Sequence, residues 1–227
     1  KNEPLIAQLP AKGTITGEKE NKELGYKELT LSNGARVLLK KTDFKDDEVV
    51  LDATSKGGSS LLGEEDLVNA KVFDMVISSS GLGNFSVTEL EKALAGKQAN
   101  ANLTLNNLHE GLSGRSTPKD LETLFQLTYL YFTDVRKDEK SFGSLMTTLE
   151  TLLKNQELSP DRAFSDSLMA TLYSHNPRYM SLKLDDLKKI NYDRILQKNV
   201  QPTPATSHSQ LSATLTRQPS VRSSSNI

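Results

Sequence analysis

The chain has 227 residues, a net charge of −1 and a hydrophobic fraction of 36%. That length fits one domain with room for an appended segment, and the balanced charge gives no electrostatic basis for nucleic-acid binding. Cysteine is absent, which excludes disulfides and thiolate zinc sites, and no apolar run reaches the ~18 residues of a membrane span.

Residues 1–23 combine charged residues with prolines and glycines, a composition typical of a linker. The chain begins with Lys1 instead of Met, as a processed or excised piece does. We therefore expect residues 1–23 to connect to an upstream domain.

Residues 24–42 predict a β-hairpin, because Asn33-Gly34 supplies the two positive-φ positions of a type I′ turn. Val49, Leu51 and Ala53 alternate with polar residues, which predicts a return strand that ends at Gly57-Gly58.

Residues 64–80 predict a buried helix, since apolar residues cover most of its circumference and acidic residues occupy its first turn. Gly81 and Gly83 end it. Ser86 and Glu89 have the spacing of a capping box for a short second helix.

Residues 97–116 predict two antiparallel strands that turn near Asn106-Asn107. The first strand has an apolar face and a polar face, and Asn100, Asn102 and Thr104 form the polar one. If this strand lies at a sheet edge, it can pair with the backbone of a bound peptide, so these three residues are the predicted peptide contacts. The alternative is an ordinary solvated face.

Three helices follow. Thr117-Pro118 opens the first, with Asp120 at the capping-box position, and Ser159-Pro160 opens the third, with Phe164, Leu168 and Leu172 predicted to be buried. Strands followed by helices in this order predict an α+β fold in which helices pack on one face of an antiparallel sheet.

Residues 198–227 differ in composition from the rest, since they contain no acidic or aromatic residue and are rich in Ser, Thr, Pro and Gln. This composition predicts disorder. A second hypothesis is a frameshift near Gln197, because codons exist for which the neighbouring frame reads ERTANASDFTFTIVGNFDEATLRPLVEQY. The segment FTIVGNFD of that peptide would then form a further edge strand.

Residues 31–197 resemble the insulinase/pitrilysin family of zinc metallopeptidases, and bacterial zinc proteases most closely. The segments that carry the resemblance are LSNGARVLLKKT, SKGGSS, SGLGNFSVTELEKALAGK, STPKDLETLFQLTYLYFTDVRKDEKSF and NQELSPDRAFSD. The resemblance implies an α+β domain, like that of mitochondrial processing peptidase, which is used in tandem copies around a peptide chamber. It places this domain at residues 24–197, incomplete if the tail is frameshifted.

The catalytic copy in that family carries H-x-x-E-H on the helix after the glycine turn, where two imidazoles bind zinc and the Glu activates water. The corresponding helix here reads LVNAKVFDMVISSS, with Asp74 as its only acid. We therefore expect no catalytic residue and no metal ligand in this chain, which is predicted to be inactive alone.

The resemblance implies that zinc and the general base lie on another copy of the domain, in the same polypeptide or in a separate subunit. Peptide substrate and that catalytic half are the expected partners, and a Gram-negative periplasm or cell envelope is the expected location. The alternative is a stand-alone structural or binding subunit of the same fold without protease activity.

The remaining candidate residues for catalysis or metal binding are explained by structural roles. His109-Glu110 and His175 fit structural or loop residues, and Glu64, Glu65 and Asp66 complement a helix dipole. No His or Lys is placed by the sequence to activate the serines at 59–60 or 78–80.

Overall fold

The computed structural model describes residues 3–42, residues 47–197 and the backbone of residues 212–217. The strands in this part of the chain are β1 (Ile15–Asn21), β2 (Tyr26–Leu31), β3 (Arg36–Lys41), β4 (Val49–Lys56), β5 (Gly81–Leu82), β6 (Ala99–Leu105), β7 (His109–Ser116), β8 (Val135–Arg136) and β9 (Ser212–Arg217). The α-helices are α1 (Leu67–Ser78), α2 (Val87–Ala93), α3 (Leu121–Thr133), α4 (Glu139–Glu157), α5 (Pro160–Leu172) and α6 (Tyr192–Gln197).

Seven of the strands form one sheet, in the order β1-β2-β3-β9-β4-β7-β6. All neighbours in this sheet are antiparallel except β3 and β9, which are parallel. α1 and α3 pack against β6, and α3 also packs against β7. The predicted α+β fold with helices on one face of the sheet is therefore confirmed, with one parallel pair added.

The core lies between the sheet and these helices. β4 alternates as predicted, with Val49, Leu51 and Ala53 buried and Asp52 exposed. The central core side chains are Leu51, Ala53, Val72, Phe73, Val76, Ile77, Ala101, Leu103, Leu112, Leu124, Leu127 and Leu130. Because α1 supplies four of these and is buried along most of its length, it is the central helix of the domain.

The turn between β2 and β3 differs from the predicted type I′ geometry. Gly34 has a φ of +83°, but Asn33 is not among the positive-φ residues. The Asn33 side-chain oxygen accepts the Ala35 N–H at 3.0 Å, and the Gly34 N–H donates to Leu31 O at 2.9 Å. The hairpin prediction is correct, but only the glycine needs the left-handed conformation, as in a turn that ends in a glycine bulge.

The N-terminal boundary also differs. β1 lies inside residues 1–23, which the sequence analysis assigned to a linker, and it pairs with β2. Its charged residues hid it from the pattern analysis, because an exposed edge strand does not need an alternating apolar face. Whether residues before β1 connect to another domain stays a prediction.

The tail contains a strand where disorder was predicted. β9 lies between β3 and β4, inside the sheet, whereas the frameshift hypothesis placed a strand at an edge. β3 and β4 would otherwise present unpaired backbone groups to each other, and a segment with threonines at alternate positions can pair with both. The predictions for 198–211 and 218–227 lie outside the described residues.

Two of the three predicted helix caps are present, and the third is not. Ser86 and Glu89 form the predicted capping box at α2, and Ser159 accepts the Arg162 N–H at the start of α5. Asp120 does not close a capping box on Thr117. Its carboxylate instead accepts the backbone N–H of Gln98, which precedes β6.

The predicted burial of the α5 stripe is wrong. Phe164, Leu168 and Leu172 are 71%, 46% and 64% exposed, and no residue of α5 is buried. The i, i+4, i+8 spacing identifies one face of a helix but does not show whether that face meets the rest of the domain. α4 supplies the buried side chains Leu149 and Leu153 instead.

This difference in burial predicts contrasting stability effects. Leu153→Ala removes a buried side chain and should lower the free energy of unfolding by about 2–5 kcal/mol, whereas Phe164→Ser should change it by less than about 0.5 kcal/mol. Urea denaturation of both variants and the parent chain measures the difference. A large loss for Phe164→Ser would show that the stripe is covered in solution.

Candidate functional site

α1 is the helix on which the resemblance would place a metal site, and its polar residues do not fit zinc. Asn69 and Lys71 are occupied in structural contacts: Asn69 binds Asp66 and the backbone of Asn191, and Lys71 donates to Pro177 O. Asp74 accepts the backbone N–H of Leu105 at 3.3 Å. The helix carries no imidazole, so it lacks the donors that a tetrahedral zinc site needs.

The candidate site lies beside α1, at the free edge of β6. Among the described residues β6 pairs with β7 alone, in register from Ala99↔Ser116 to Leu105↔Glu110. The backbone N–H of Thr117 donates to Gln98 O, and the backbone N–H of Asn106 donates to His109 O. The backbone N–H and C=O groups of the even-numbered residues of β6 therefore point toward β7. In an antiparallel ladder this direction alternates, so the backbone N–H and C=O groups of Ala99, Ala101 and Leu103 point to the open side.

The other edge of the sheet is protected against pairing, and β6 is not. β1 carries Glu18, Lys19 and Glu20 and has a register shift between Ile15 and Gly17. Charges and bulges of this kind block the addition of another strand. β6 reads ANANLTL, with no charge, no proline and no register shift. Its edge is therefore chemically open to an extended peptide.

The polar face of β6 is the helix-free face of the sheet. Asn100 and Asn102 are exposed and Thr104 is half-buried. Arg115 and Ser113 lie opposite the two asparagines on β7. An open groove of about 430 Å³ lies at the start of this face, between Asn100, Lys97 and Glu48. The structure thus brings the three predicted peptide contacts together along one edge.

Two carboxylates accept backbone N–H groups near the two ends of β6. Asp120 accepts the Gln98 N–H at 2.9 Å, which ties the start of β6 to the beginning of α3. That hydrogen bond lowers the pKa of Asp120, and nearby Lys97 adds to the effect. At the other end Asp74 accepts the outward N–H of Leu105, and burial raises the pKa of Asp74 despite that hydrogen bond. The local sequence around Asp74 and Asp120 predicts neither of these roles.

A polar network near the end of α1 fixes the helix in place. The buried Tyr192 hydroxyl lies 2.8 Å from the Ser80 hydroxyl and accepts the Asp138 N–H at 3.0 Å. At the start of α1, Arg194 donates two hydrogen bonds of 2.8 Å to the buried carboxylate of Asp66. Both ends of α1 are thus joined to α6.

The other sequence candidates are dispersed. His109 is exposed at the start of β7, and burial raises the pKa of its neighbour Glu110. His175 is exposed in a loop that Arg178 anchors by donating to Ser59 O and Leu62 O at 2.7 Å. In the part of the chain that the structure describes, no three His, Asp or Glu side chains gather where they could hold a metal ion.

Known proteins are similar to this chain in sequence and in fold. No family model matches. The chain is 28% identical over 190 residues to a zinc protease PQQL-like protein of Arabidopsis thaliana, a match that covers 83% of this chain and 17% of the relative. It is 25% identical over 146 residues to the probable zinc protease PqqL of Escherichia coli, covering 64% of this chain and 16% of that protein.

Two solved structures illustrate the shared fold. The periplasmic protease PqqL of Escherichia coli superposes with a TM-score of 0.78 at 21% identity, over 96% of this chain and 24% of that one. A peptidase M16 inactive domain from Pseudomonas fluorescens superposes with a TM-score of 0.64 at 16% identity, over 86% of this chain and 47% of that one.

The resemblance to insulinase-family zinc proteases is confirmed. The chain spans 17% and 16% of the length of the two curated relatives. The matched region is therefore a small portion of each of these relatives. Among its described residues, no helix combines the length and apolar character that crossing a membrane requires.

The Asp120–Gln98 hydrogen bond predicts a pH dependence of stability. Because the pKa of Asp120 is lowered in the folded state, its contribution is present above about pH 4 and is lost as the pH falls through the folded-state value. Asp120→Asn should therefore be less stable than the parent at pH 7, and the difference should shrink at pH 3. Urea denaturation at both pH values tests this, with the exposed Asp185→Asn as control. A difference that is constant with pH would contradict the assignment.

Proposed function

We propose that this chain is a non-catalytic segment of a zinc-dependent metalloendopeptidase of the insulinase family. The observation that supports the proposal is α1, the helix that the resemblance equates with the zinc-binding helix of a catalytic copy, which carries apolar core residues and no imidazole. Val72, Phe73, Val76 and Ile77 of this helix are buried in the core, and none of its residues is a histidine that could bind a metal. In this reading the helix has a packing role only.

The catalytic half is then the main partner. Zinc and the general base belong to another copy of the domain, on the same polypeptide or on a separate subunit. The relatives support this arrangement, because the matched region is a small part of each and two solved neighbours are about twice as long as the region that they share with this chain. The segment described here would complete the wall of a peptide chamber. A periplasmic location follows from the same likeness.

The proposed contribution of the segment to substrate handling is the β6 edge. An extended peptide would pair with the outward backbone groups of Ala99, Ala101 and Leu103, while Asn100, Asn102 and Thr104 line its path. Backbone pairing is independent of side chains, which suits a protease that holds many sequences. The absence of charge on β6, against three charged residues on β1, is the observation that supports this choice of edge.

The stand-alone alternative has the same fold and no peptidase beside it. The nucleotide sequence of the locus discriminates the two. An H-x-x-E-H domain in the same or an adjacent reading frame supports the segment proposal, and its absence supports the alternative. The same sequence decides the frameshift hypothesis for residues 198–227.

The first test concerns zinc and activity. The purified chain, incubated with zinc and dialysed, should retain far less than one zinc per chain, because α1 offers no ligand pair. It should also leave a fluorescein-labelled casein peptide uncut. Elemental analysis and fluorescence measure the two quantities. Stoichiometric zinc, lost on chelation together with peptide cleavage, would overturn the proposal.

The second test concerns the β6 edge. Asn102→Lys puts a charge on the exposed face of the edge strand and should weaken binding of the labelled peptide about tenfold, which corresponds to ~1.4 kcal/mol. The matched control is Thr54→Lys, at an exposed position on the same face of β4, which is not an edge. Fluorescence anisotropy gives both dissociation constants. Equal weakening by the two lysines would indicate a general charge effect and remove β6 from the site.

A further inference from the structure

A cavity between α4 and α5 lies apart from the β6 edge. It has a volume of about 320 Å³ and is partly open to solvent. Its lining comes from the end of α4, the first two turns of α5 and residues 182–184, and includes no residue of β6 or α1. Small-molecule sites are concave, about 300–1,000 Å³ in volume, and combine apolar surface with a few polar groups. The volume of this cavity suits a ligand of one or two residues.

Part of the lining is apolar. Leu153 of α4 is only 5% exposed, and its side chain reaches the cavity from the core side. Ala163, Leu182 and Leu184 add further aliphatic surface. Contact with an aliphatic group of a ligand removes apolar surface from water on both sides, which favours binding. The apolar lining therefore selects an aliphatic side chain.

The polar part of the lining is held in place by hydrogen bonds. Arg162 Nε donates to Asp166 Oδ1 at 3.2 Å, and Arg162 Nη1 donates to Gln156 Oε1 at 2.8 Å. The Ser181 hydroxyl donates to the same Asp166 oxygen at 2.8 Å. Within the described ranges, Arg162 Nη2 donates to no protein acceptor. The guanidinium is thus fixed in orientation with N–H groups left for a ligand, and this preorganisation lowers the cost of binding.

Two opposite charges at the cavity are not paired with each other or with a neighbour. Glu157 and Lys183 are exposed side chains of the lining, and neither forms an ion pair with any residue that the structure describes. Arg162 and Asp166, in contrast, neutralise each other. A ligand that complements one carboxylate and one ammonium group carries an ammonium and a carboxylate group of its own.

We propose that the α4–α5 cavity binds a zwitterion of one or two amino-acid residues with aliphatic side chains. The carboxylate of the ligand meets Lys183 and the remaining N–H groups of Arg162, and its ammonium group meets Glu157. The aliphatic side chain lies against Leu153 and its apolar neighbours. Because the cavity shares no residue with β6 or α1, this inference is independent of the proposed protease role.

Ligands that lack one charge test the assignment. The purified full chain is titrated by isothermal calorimetry with leucyl-leucine, with its C-terminal amide and with its N-acetyl derivative. The amide lacks the carboxylate, and the N-acetyl compound lacks the ammonium group. We expect leucyl-leucine to bind about fivefold more tightly than either derivative, because a charge pair at a solvent-accessible site contributes about that factor.

Variants of the two unpaired residues assign each charge to its partner. Lys183→Gln should weaken binding of leucyl-leucine about fivefold and abolish its advantage over the amide, while its advantage over the N-acetyl compound is kept. Glu157→Gln should have the converse effect. The matched control is Lys188→Gln, which changes an exposed lysine of the neighbouring segment that lies outside the cavity. It should alter neither preference.

A third variant fills the cavity without changing its charges. Ala163 is exposed on α5, so Ala163→Leu adds volume on the solvent side of the lining. It should abolish binding of all three ligands and leave the thermal unfolding midpoint of the chain unchanged. Three outcomes would overturn the proposal: no binding of leucyl-leucine to the parent chain, equal affinity for the three ligands, or unchanged binding by Ala163→Leu.

Discussion

Burial of α1 against the sheet is the constraint on which the rest of the domain depends. Its apolar residues belong to the same core as side chains of β4, β6, β7 and α3, while Asp66–Arg194 and Ser80–Tyr192 attach its two ends to α6. A zinc site at this place would require imidazole and carboxylate groups that face an open cleft. A helix that is packed in this way stabilises the fold, and the residues that it uses for packing are not metal ligands.

Three strands of the sheet differ in how their backbone N–H and C=O groups are paired or protected. β1 blocks pairing with charges and a bulge, β9 closes the gap between β3 and β4, and β6 leaves its outward groups open. Unpaired edges carry a risk of aggregation, so an uncharged edge of seven residues is costly unless another strand uses it. This contrast within one sheet is a stronger argument for a binding edge than the polar side chains of β6 by themselves.

Sequence periodicity correctly predicts the elements whose burial follows from the local sequence. The predictions fail for elements whose burial or strand pairing depends on tertiary contacts. The alternation in β4 and β6, the apolar α1 and the capping box at Ser86 were readable because each is a local pattern. The exposed stripe of α5 has the same spacing as a buried one, since period does not report what lies opposite. β1 and β9 were not predicted because neither has a clear apolar alternation. Only their pairing with neighbouring strands identifies them as strands. Asp120 was read as a cap, although it binds Gln98 across the fold.

Asp74 limits the length of the open part of β6. Because Asp74 already accepts the outward N–H of Leu105, a peptide strand that pairs with the edge must end its pairing near Leu103. At the other end the strand itself begins at Ala99. Only a short stretch of peptide backbone can then be held, which is enough to orient an unfolded chain without binding it tightly. A segment that lines a protease chamber needs that combination, because substrate has to be released after each cleavage.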